Sequence, residues 1–240
     1  MDSGTLTNSD SSRMLQQKRL SIVILADGNY PAAEYPLSLL READHVICCD
    51  ASVLKLQNVS PSYIVGDMDT LPAEYKEIYK DIIVQSSCQE TNDQTKAFSF
   101  ALGLVPQDAE ADIHILGNTG GREDHTLGNI SLLMEYTSRC GEKIEPFGNM
   151  MHKGINVDIV TDYGVFTPHY NSFGKESRKG QQISIISFDN TLRIKSEGLV
   201  YPTDNAIFQF WWRGTLNESA GDRFSLEFSH PAPVILFTLY

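Results

Sequence analysis

The chain has 240 residues, with 19 Lys and Arg against 31 Asp and Glu, a formal charge of −12 at pH 7. That excess of acid argues against an electrostatic grip on nucleic acid or an anionic membrane surface, and no apolar run approaches the ~20 residues needed to span a bilayer. With 41% apolar and 21% charged residues, the composition is that of a globular protein, long enough for one large domain or two modest ones.

Residues 1–17 are rich in Ser, Thr, Asn and Asp and have almost nothing to bury, which predicts a disordered tail. Lys18-Arg19 before the apolar Leu20–Leu25 run imitates a signal peptide. A polar leader precedes it, however, and regular patterning follows at once, so the run reads as a first buried strand. Further β-branched runs stand at His45–Cys49, Tyr63–Val65, Ile82–Val84 and Ile113–Leu116, alternating with segments of helical period. Pro36 and Pro72 suit first-turn positions of helices. Thr91 stands three residues before Gln94, the spacing of a capping box. Leu127, Ile130, Leu133 and Met134 make one apolar helical stripe. The pattern predicts an α/β domain over residues 18–150, built on an open, mostly parallel sheet with helices on both faces.

From there the pattern becomes short strands at close spacing: Val157–Thr161, Val165–Thr167, Gln182–Ser187, Leu192–Ser196, Ile207–Trp211, Phe224–Phe228 and Val234–Thr238. Turn signals such as Asp162-Tyr163-Gly164 separate them. An all-β sandwich domain over residues 151–240 is expected. The four cysteines, Cys48, Cys49, Cys88 and Cys140, show no CxxC or Cys/His metal spacing. They read as reduced thiols of a cytoplasmic protein.

In an open parallel sheet, ligands bind beyond the carboxyl ends of the strands. Those positions are strongly polar here. Asp50 follows the second strand, Gly66-Asp67-Met68-Asp69-Thr70 the third, and Asp93 opens the helix after the fourth; the run from Gly117 to His125 follows the fifth. Asp67 and Asp69, at i and i+2 of an extended segment, point the same way and read as Mg2+ ligands, with Asp93 and Asp50 completing or orienting the shell. Gly120 and Gly121 let backbone N–H groups approach an anion, Arg122 offers a bidentate fork, and the helix starting near Asp124 adds its positive end. An acidic cluster beside an anion loop describes a site for a metal-bound polyphosphate. No GxxxxGK[ST] is present, and no GxGxxG follows the first strand.

These segments, with Asn92-Asp93-Gln94-Thr95-Lys96-Ala97, Gly120-Gly121-Arg122-Glu123-Asp124-His125 and Asn129, resemble the thiamine pyrophosphokinase family in order and spacing. A fainter match continues at Gly198–Pro202 and Gly214–Glu218. The resemblance implies an α/β nucleotide domain, a β-sandwich for thiamine binding and dimerisation, and a homodimer with thiamine bound where two subunits meet. It implies transfer of pyrophosphate from ATP to the hydroxyl of thiamine, releasing AMP. In that picture Asp67, Asp69 and Asp93 hold Mg2+, and Asp50 lies close to the reacting phosphates. Asn118, Thr119, Gly120, Gly121, Arg122, Asp124 and His125 hold the nucleotide polyphosphate, while Tyr201, Asn217 and Trp212 contribute to the thiamine pocket.

The chain departs from the family pattern at Ala51-Ser52, where glycines are usual, and at Leu216, a position often held by Ser. The aromatic segment with Phe208, Phe210, Trp211 and Trp212 offers a ring for stacking on thiamine, or equally for core and dimer contacts. Two alternatives differ in class. A haloacid-dehalogenase-like phosphatase would use Asp67 as a phosphoenzyme nucleophile, but Leu71 stands where its strand-end motif needs Thr or Val. A non-catalytic nucleotide- or thiamine-binding module would explain the departures, but not the crowding of four carboxylates.

Overall fold

The computed structural model describes residues 19–88, 90–139, 154–204, 206 and 208–240. The tail over residues 1–17 and the boundary between 150 and 151 lie outside the described residues, as does Cys140. Among the described residues no helix is long and apolar enough to cross a membrane.

Five parallel strands form the N-terminal sheet: β1 (Leu20–Leu25), β2 (His45–Cys49), β3 (Tyr63–Gly66), β4 (Ile83–Gln85) and β5 (Ala111–Leu116), in the order β5-β1-β2-β3-β4. Ile22 to Leu25 are closed to solvent on successive residues, the mark of a strand covered on both faces. Helices α3 (Asp93–Leu104) and α4 (Glu123–Arg139) cover one face through Phe98, Ala101, Leu133 and Tyr136. Helix α1 (Glu34–Glu42) covers the other through Leu40, beside Val23 and Leu25. The short α2 (Ala73–Ile78) lies between β3 and β4.

Strand β6 (Ile155–Val160) pairs in parallel with β5, so it extends the N-terminal sheet. Its alternation explains this: Ile155, Val157 and Ile159 join the same core as α4, and the open edge of β5 is thereby covered. Strand β7 (Gly164–His169) then turns back antiparallel, and the sheet grows to ten strands through β13 (Val234–Leu239), β9 (Gln182–Ser187) and β11 (Asn217–Glu218). A second sheet, ordered β10 (Ile194–Glu197), β12 (Arg223–Phe228), β8 (Phe173–Glu176), packs on it over Ile183, Ile185, Phe224, Leu226, Val234 and Leu236. The result is a mixed sheet with helices in its N-terminal part, followed by a β-rich region.

Where β5 meets β6, His114 faces Asp158 in register, with Nδ1 2.8 Å from the carboxylate. Burial pulls the imidazole pKa down, but the Asp158 bond and the charges of Asp158 and Asp112 outweigh it, and the net shift is upward.

Three local expectations need correction. Asn92, not Thr91, caps α3: its side chain accepts the Thr95 N–H at 2.9 Å. Leu127 does not continue the apolar stripe of α4; it is exposed. The segment expected as a strand at Ile207–Trp211 is not one in its described part: Trp211–Gly214 forms a 3-10 turn, and Phe210, Trp211 and Trp212 face solvent while Phe208 is buried. Gly214 sits so close to β9 that a Cβ there would stand 1.9 Å from the Ile185 carbonyl oxygen, a backbone approach that leaves no room for another pleat.

Candidate functional site

A cavity of about 420 Å³ opens beyond the carboxyl ends of β1, β2, β3 and β5, against the N-terminal turns of α3 and α4. Asp50 forms part of its wall. It begins a 3-10 turn, Asp50–Lys55, with a left-handed φ of 43° that costs a non-glycine residue about 1–3 kcal/mol. Gly66 of β3 makes room for it, since a Cβ there would lie 3.1 Å from the Asp50 Cβ. The residue is 4% exposed, its Oδ2 accepts the Thr70 N–H at 3.4 Å, and its Oδ1 is buried without a hydrogen-bond partner among the described residues. A buried, unpartnered carboxylate oxygen calls for a cation or a donor.

Asp67 and Asp69 converge on the same point by a route the sequence did not suggest. Met68 between them is left-handed at φ 67°, so the segment is not a pleated strand. The Asp69 N–H donates to Asp67 Oδ1 at 3.2 Å, an Asx turn that folds the two carboxylates together. Ligand oxygens of Asp50, Asp67 and Asp69 all lie within 4.8 Å of one another. The hydrogen bond and charge of Asp67 push the Asp69 pKa up. Three carboxylates this close, one of them buried and unpartnered, fit a hard divalent cation.

Asp93 stands apart from that trio. As the first residue of α3 it lines the cavity, but its Oδ1 accepts from Lys96 Nζ at 2.9 Å, and the same ammonium is 3.7 Å from Asp67. Burial opposes the charge on Lys96, yet the bonds and charges of Asp93 and Asp67 raise its pKa overall.

The loop after β5 turns through Gly117 at φ 65° and Gly120 at φ 85°. Asn118 is 5% exposed and lines the cavity, with neither amide atom partnered among the described residues. Thr119 and Gly120 lie behind that wall. The Thr119 carbonyl accepts from the Asn29 N–H at 2.8 Å, and Gly120 packs on the Asn29 side chain. Gly121, Arg122 and His125 return to the wall. Arg122 donates through Nε and Nη2 to Asp124, at 3.1 and 2.7 Å, and each holds the other's charge. Asp124 thus pairs with Arg122, and its Oδ1 also takes the His125 N–H.

Sequence reasoning passed over several wall residues. Asp27 and Gly28 follow β1 and line the cavity, so the strand-end rule applied to the first strand would have found them. Lys96 carries a signal too, lying one helical turn after Asp93.

A second cavity of about 260 Å³ lies in the β-rich region and shares no wall residue with the first. Tyr201, Leu216 and Asn217 line it. The buried Asn217 amide knots the backbone: Nδ2 donates to the Tyr201 carbonyl at 2.8 Å, and Oδ1 accepts from the N–H groups of Tyr201 and Glu218. Leu216 is left-handed at φ 62° and 77% exposed. Trp212 stands outside this wall, 69% exposed, with the Arg213 guanidinium 5.4 Å over its ring.

Residues 37–144 match the family model for the catalytic domain of thiamin pyrophosphokinase, and residues 164–234 match the model for its substrate-binding domain. The chain belongs to the thiamin pyrophosphokinase family. Thiamine pyrophosphokinase 1 of Oryza sativa subsp. japonica is 38% identical over 84 residues, which cover 32% of this chain and 32% of that protein. Thiamine pyrophosphokinase 3 of the same rice is 37% identical over 79 residues, 30% of each. The chain therefore matches about a third of the length of these curated relatives. Thiamin pyrophosphokinase from Geobacillus thermodenitrificans superposes with a TM-score of 0.68 at 20% identity, over 91% of this chain and 97% of the other. The Candida albicans protein gives 0.68 at 18% identity, over 92% and 90%. At such identities the likeness lies in the fold; most of the first cavity's wall falls within the catalytic-domain match and the second cavity's wall falls within the substrate-binding match.

Proposed function

We propose that this member of the family transfers the pyrophosphoryl group of ATP to the hydroxyethyl oxygen of thiamine. The thiamine oxygen attacks the β-phosphorus, the bond from that phosphorus to the oxygen bridging to the α-phosphorus breaks, AMP leaves with that oxygen, and the hydroxyl proton passes to solvent. The observation that carries the proposal is the buried, unpartnered Asp50 oxygen within a carboxylate trio, in the same cavity as the unpartnered Asn118 amide.

Asp67 and Asp69, flanked by Asp50 and Asp93, would hold Mg2+, which when bound neutralises phosphate charge. The chain's own groups position the rest. The Asn118 amide offers a donor to a phosphate oxygen, and Gly121 leaves its backbone open to close approach. The guanidinium of Arg122, held in place by Asp124, meets the polyphosphate at the mouth. No protein nucleophile is required, because such transfer rests on positioning and charge neutralisation.

Tyr201, Asn217 and Trp212 belong to the thiamine side. Asn217 acts by shaping the Tyr201 backbone, and the exposed aromatic segment supplies the stacking surface. Because the two cavities share no wall, we place thiamine between the β-rich region of one subunit and the α/β cavity of another, in a homodimer. The free thiols at Cys48, Cys49 and Cys88 favour a reducing, cytoplasmic setting. The phosphatase and non-catalytic readings are not favoured by the family match.

Calorimetric titration of Mg2+ with a non-hydrolysable ATP analogue, wild type against Asp67→Asn, tests the metal side of this reading. Loss of binding in a variant that melts like wild type supports it, and equal binding contradicts it. Sedimentation velocity tests the shared site: a dimer is expected, and a fully active monomer would contradict it.

A further inference from the structure

Lys55 is the last residue of the 3-10 turn that opens with Asp50. Its ammonium donates to the carbonyl oxygens of Asp27 at 2.6 Å and Gly28 at 2.9 Å, and lies 2.6 Å from the Asp27 carboxylate. The same turn is fastened to the end of β1 a second time, where the buried Ser52 hydroxyl donates to the Leu25 carbonyl at 2.8 Å. From Gly28 the connection runs on into the glycine loop. The Gly28 N–H donates to the Gly117 carbonyl at 2.7 Å, and the Asn29 N–H to that of Thr119 at 2.8 Å.

Packing along this seam admits no side chain at Gly28 or Gly120. A Cβ on Gly28 would stand 2.4 Å from the carbonyl oxygens of both Gly117 and Thr119, and one on Gly120 would stand 2.2 Å from the Asn29 amide nitrogen. The turn bearing Asp50, the loop after β1 and the glycine loop after β5 are therefore one bonded series. A shift of the Asp27–Asn29 loop has to move the glycine loop with it.

Charge points the same way. Asp27 lines the cavity without belonging to the carboxylate trio, so it adds a negative charge at the edge of the space where a polyanion would lie. The carbonyl oxygens of Asp27 and Gly28 add partial negative charge. Lys55 meets all three oxygens at once.

We infer that Lys55 is a positioning residue for the phosphate-binding edge, holding the Asp27–Asn29 loop against the glycine loop and screening the Asp27 carboxylate from an incoming nucleotide polyphosphate. The inference rests on the proposed function in taking a nucleotide as the ligand of this cavity. It assigns Lys55 no contact with the reacting atoms.

The test measures MgATP binding by calorimetry without thiamine, on wild type, Lys55→Met, Lys55→Arg and the double variant Lys55→Met/Asp27→Asn, with hydrogen exchange followed over residues 117–121. Lys55→Met is expected to weaken MgATP binding about tenfold and to speed exchange in the glycine loop, with thiamine binding unchanged. Lys55→Arg is expected to restore most of both, and Asp27→Asn to recover part of the affinity lost in the Met background. MgATP binding and exchange like wild type in Lys55→Met overturn the inference. Equal loss of MgATP and thiamine binding overturns it too, because that marks a general loss of structure. Should Lys55→Met fail to fold, Lys55→Gln, which keeps one donor, is expected to weaken MgATP binding by a smaller factor, and wild-type binding in that variant overturns the inference. Wild-type protein that does not bind MgATP contradicts the proposed function, and the inference with it.

Discussion

Lys96 donates to the Asp93 carboxylate across one turn of α3 at 2.9 Å, from a side chain almost closed to solvent, and its ammonium stands 3.7 Å from Asp67. One cation thus bridges the helix-borne carboxylate and Asp67 of the trio, on the loop after β3. Removing it leaves an excess of negative charge at the point where a divalent cation is proposed to bind. Lys96→Met is therefore expected to bind Mg2+ more tightly, by about tenfold, and to lose about 1–2 kcal/mol of stability that added Mg2+ restores. Calorimetry and thermal melts with and without Mg2+ check both signs. Weaker Mg2+ binding in the variant would show that the ammonium helps to build the site rather than competing for it.

The two adjacent glycines of the loop after β5 should respond differently to a methyl group. Gly120 is left-handed, with a Cβ position inside the Asn29 side chain, whereas a Cβ on Gly121 meets nothing within 4 Å. Gly120→Ala is expected to cost about 1–3 kcal/mol of stability. Gly121→Ala should melt like wild type and lose nucleotide affinity alone, because the added methyl intrudes where a phosphate would approach. Chemical denaturation read beside MgATP binding separates the two effects.

The His114–Asp158 pair makes a prediction about pH. The folded-state pKa of His114 lies above its ordinary value, so its contribution to stability is complete below the unfolded pKa near 6.5 and is lost as pH rises through the folded value. His114→Gln should then destabilise by about 1–3 kcal/mol in the acidic range and by less above pH 8. Urea denaturation of both proteins at pH 5.5 and pH 8.5 measures the difference. An equal or larger loss at the higher pH would contradict the assignment.

Thiol reactivity should be confined to one of the three described cysteines. Burial pushes the Cys48 thiol up to about 12 and raises Cys49 as well, while the exposed Cys88 is lowered by the Glu90 N–H and the Thr91 hydroxyl. Iodoacetamide at neutral pH is expected to label Cys88 in the native protein and to leave Cys48 and Cys49 unmodified until it unfolds. Peptide mapping checks this directly.

Strands with a dominant apolar run or a strict alternation were legible to the residue: β1, β2 and β9 run as their sequences indicate, because burial on both faces or alternation leaves one pattern. The aromatic run before Gly214 reads equally well as a strand, but the close approach of that glycine to Ile185 turns the chain, and no local propensity encodes a contact with a strand 29 residues earlier. The attachment of β6 to β5 was hidden for a similar reason. Its alternation is clear, but the partner edge exists only once the parallel sheet has formed.

The candidate site shows the same division. The strand-end rule located Asp50, Asp67, Asp93 and the glycine loop on one edge, because a parallel sheet brings those ends together whatever the intervening chain. How they converge was not legible. Left-handed backbone at Met68 is rare for its residue type and at Asp50 has no local turn signal such as a following glycine, and these two departures draw Asp50, Asp67 and Asp69 into one cluster while Asp93 turns to Lys96.

The central claim is the transfer of a pyrophosphoryl group from ATP to thiamine, and the most direct measurement is of products. The protein is incubated with ATP, Mg2+ and thiamine, and AMP, ADP and thiamine diphosphate are resolved by chromatography, with a control lacking thiamine. The account predicts AMP and thiamine diphosphate in equal amounts, both dependent on thiamine. ADP or free phosphate in their place, or no turnover by protein that binds both ligands, would contradict it.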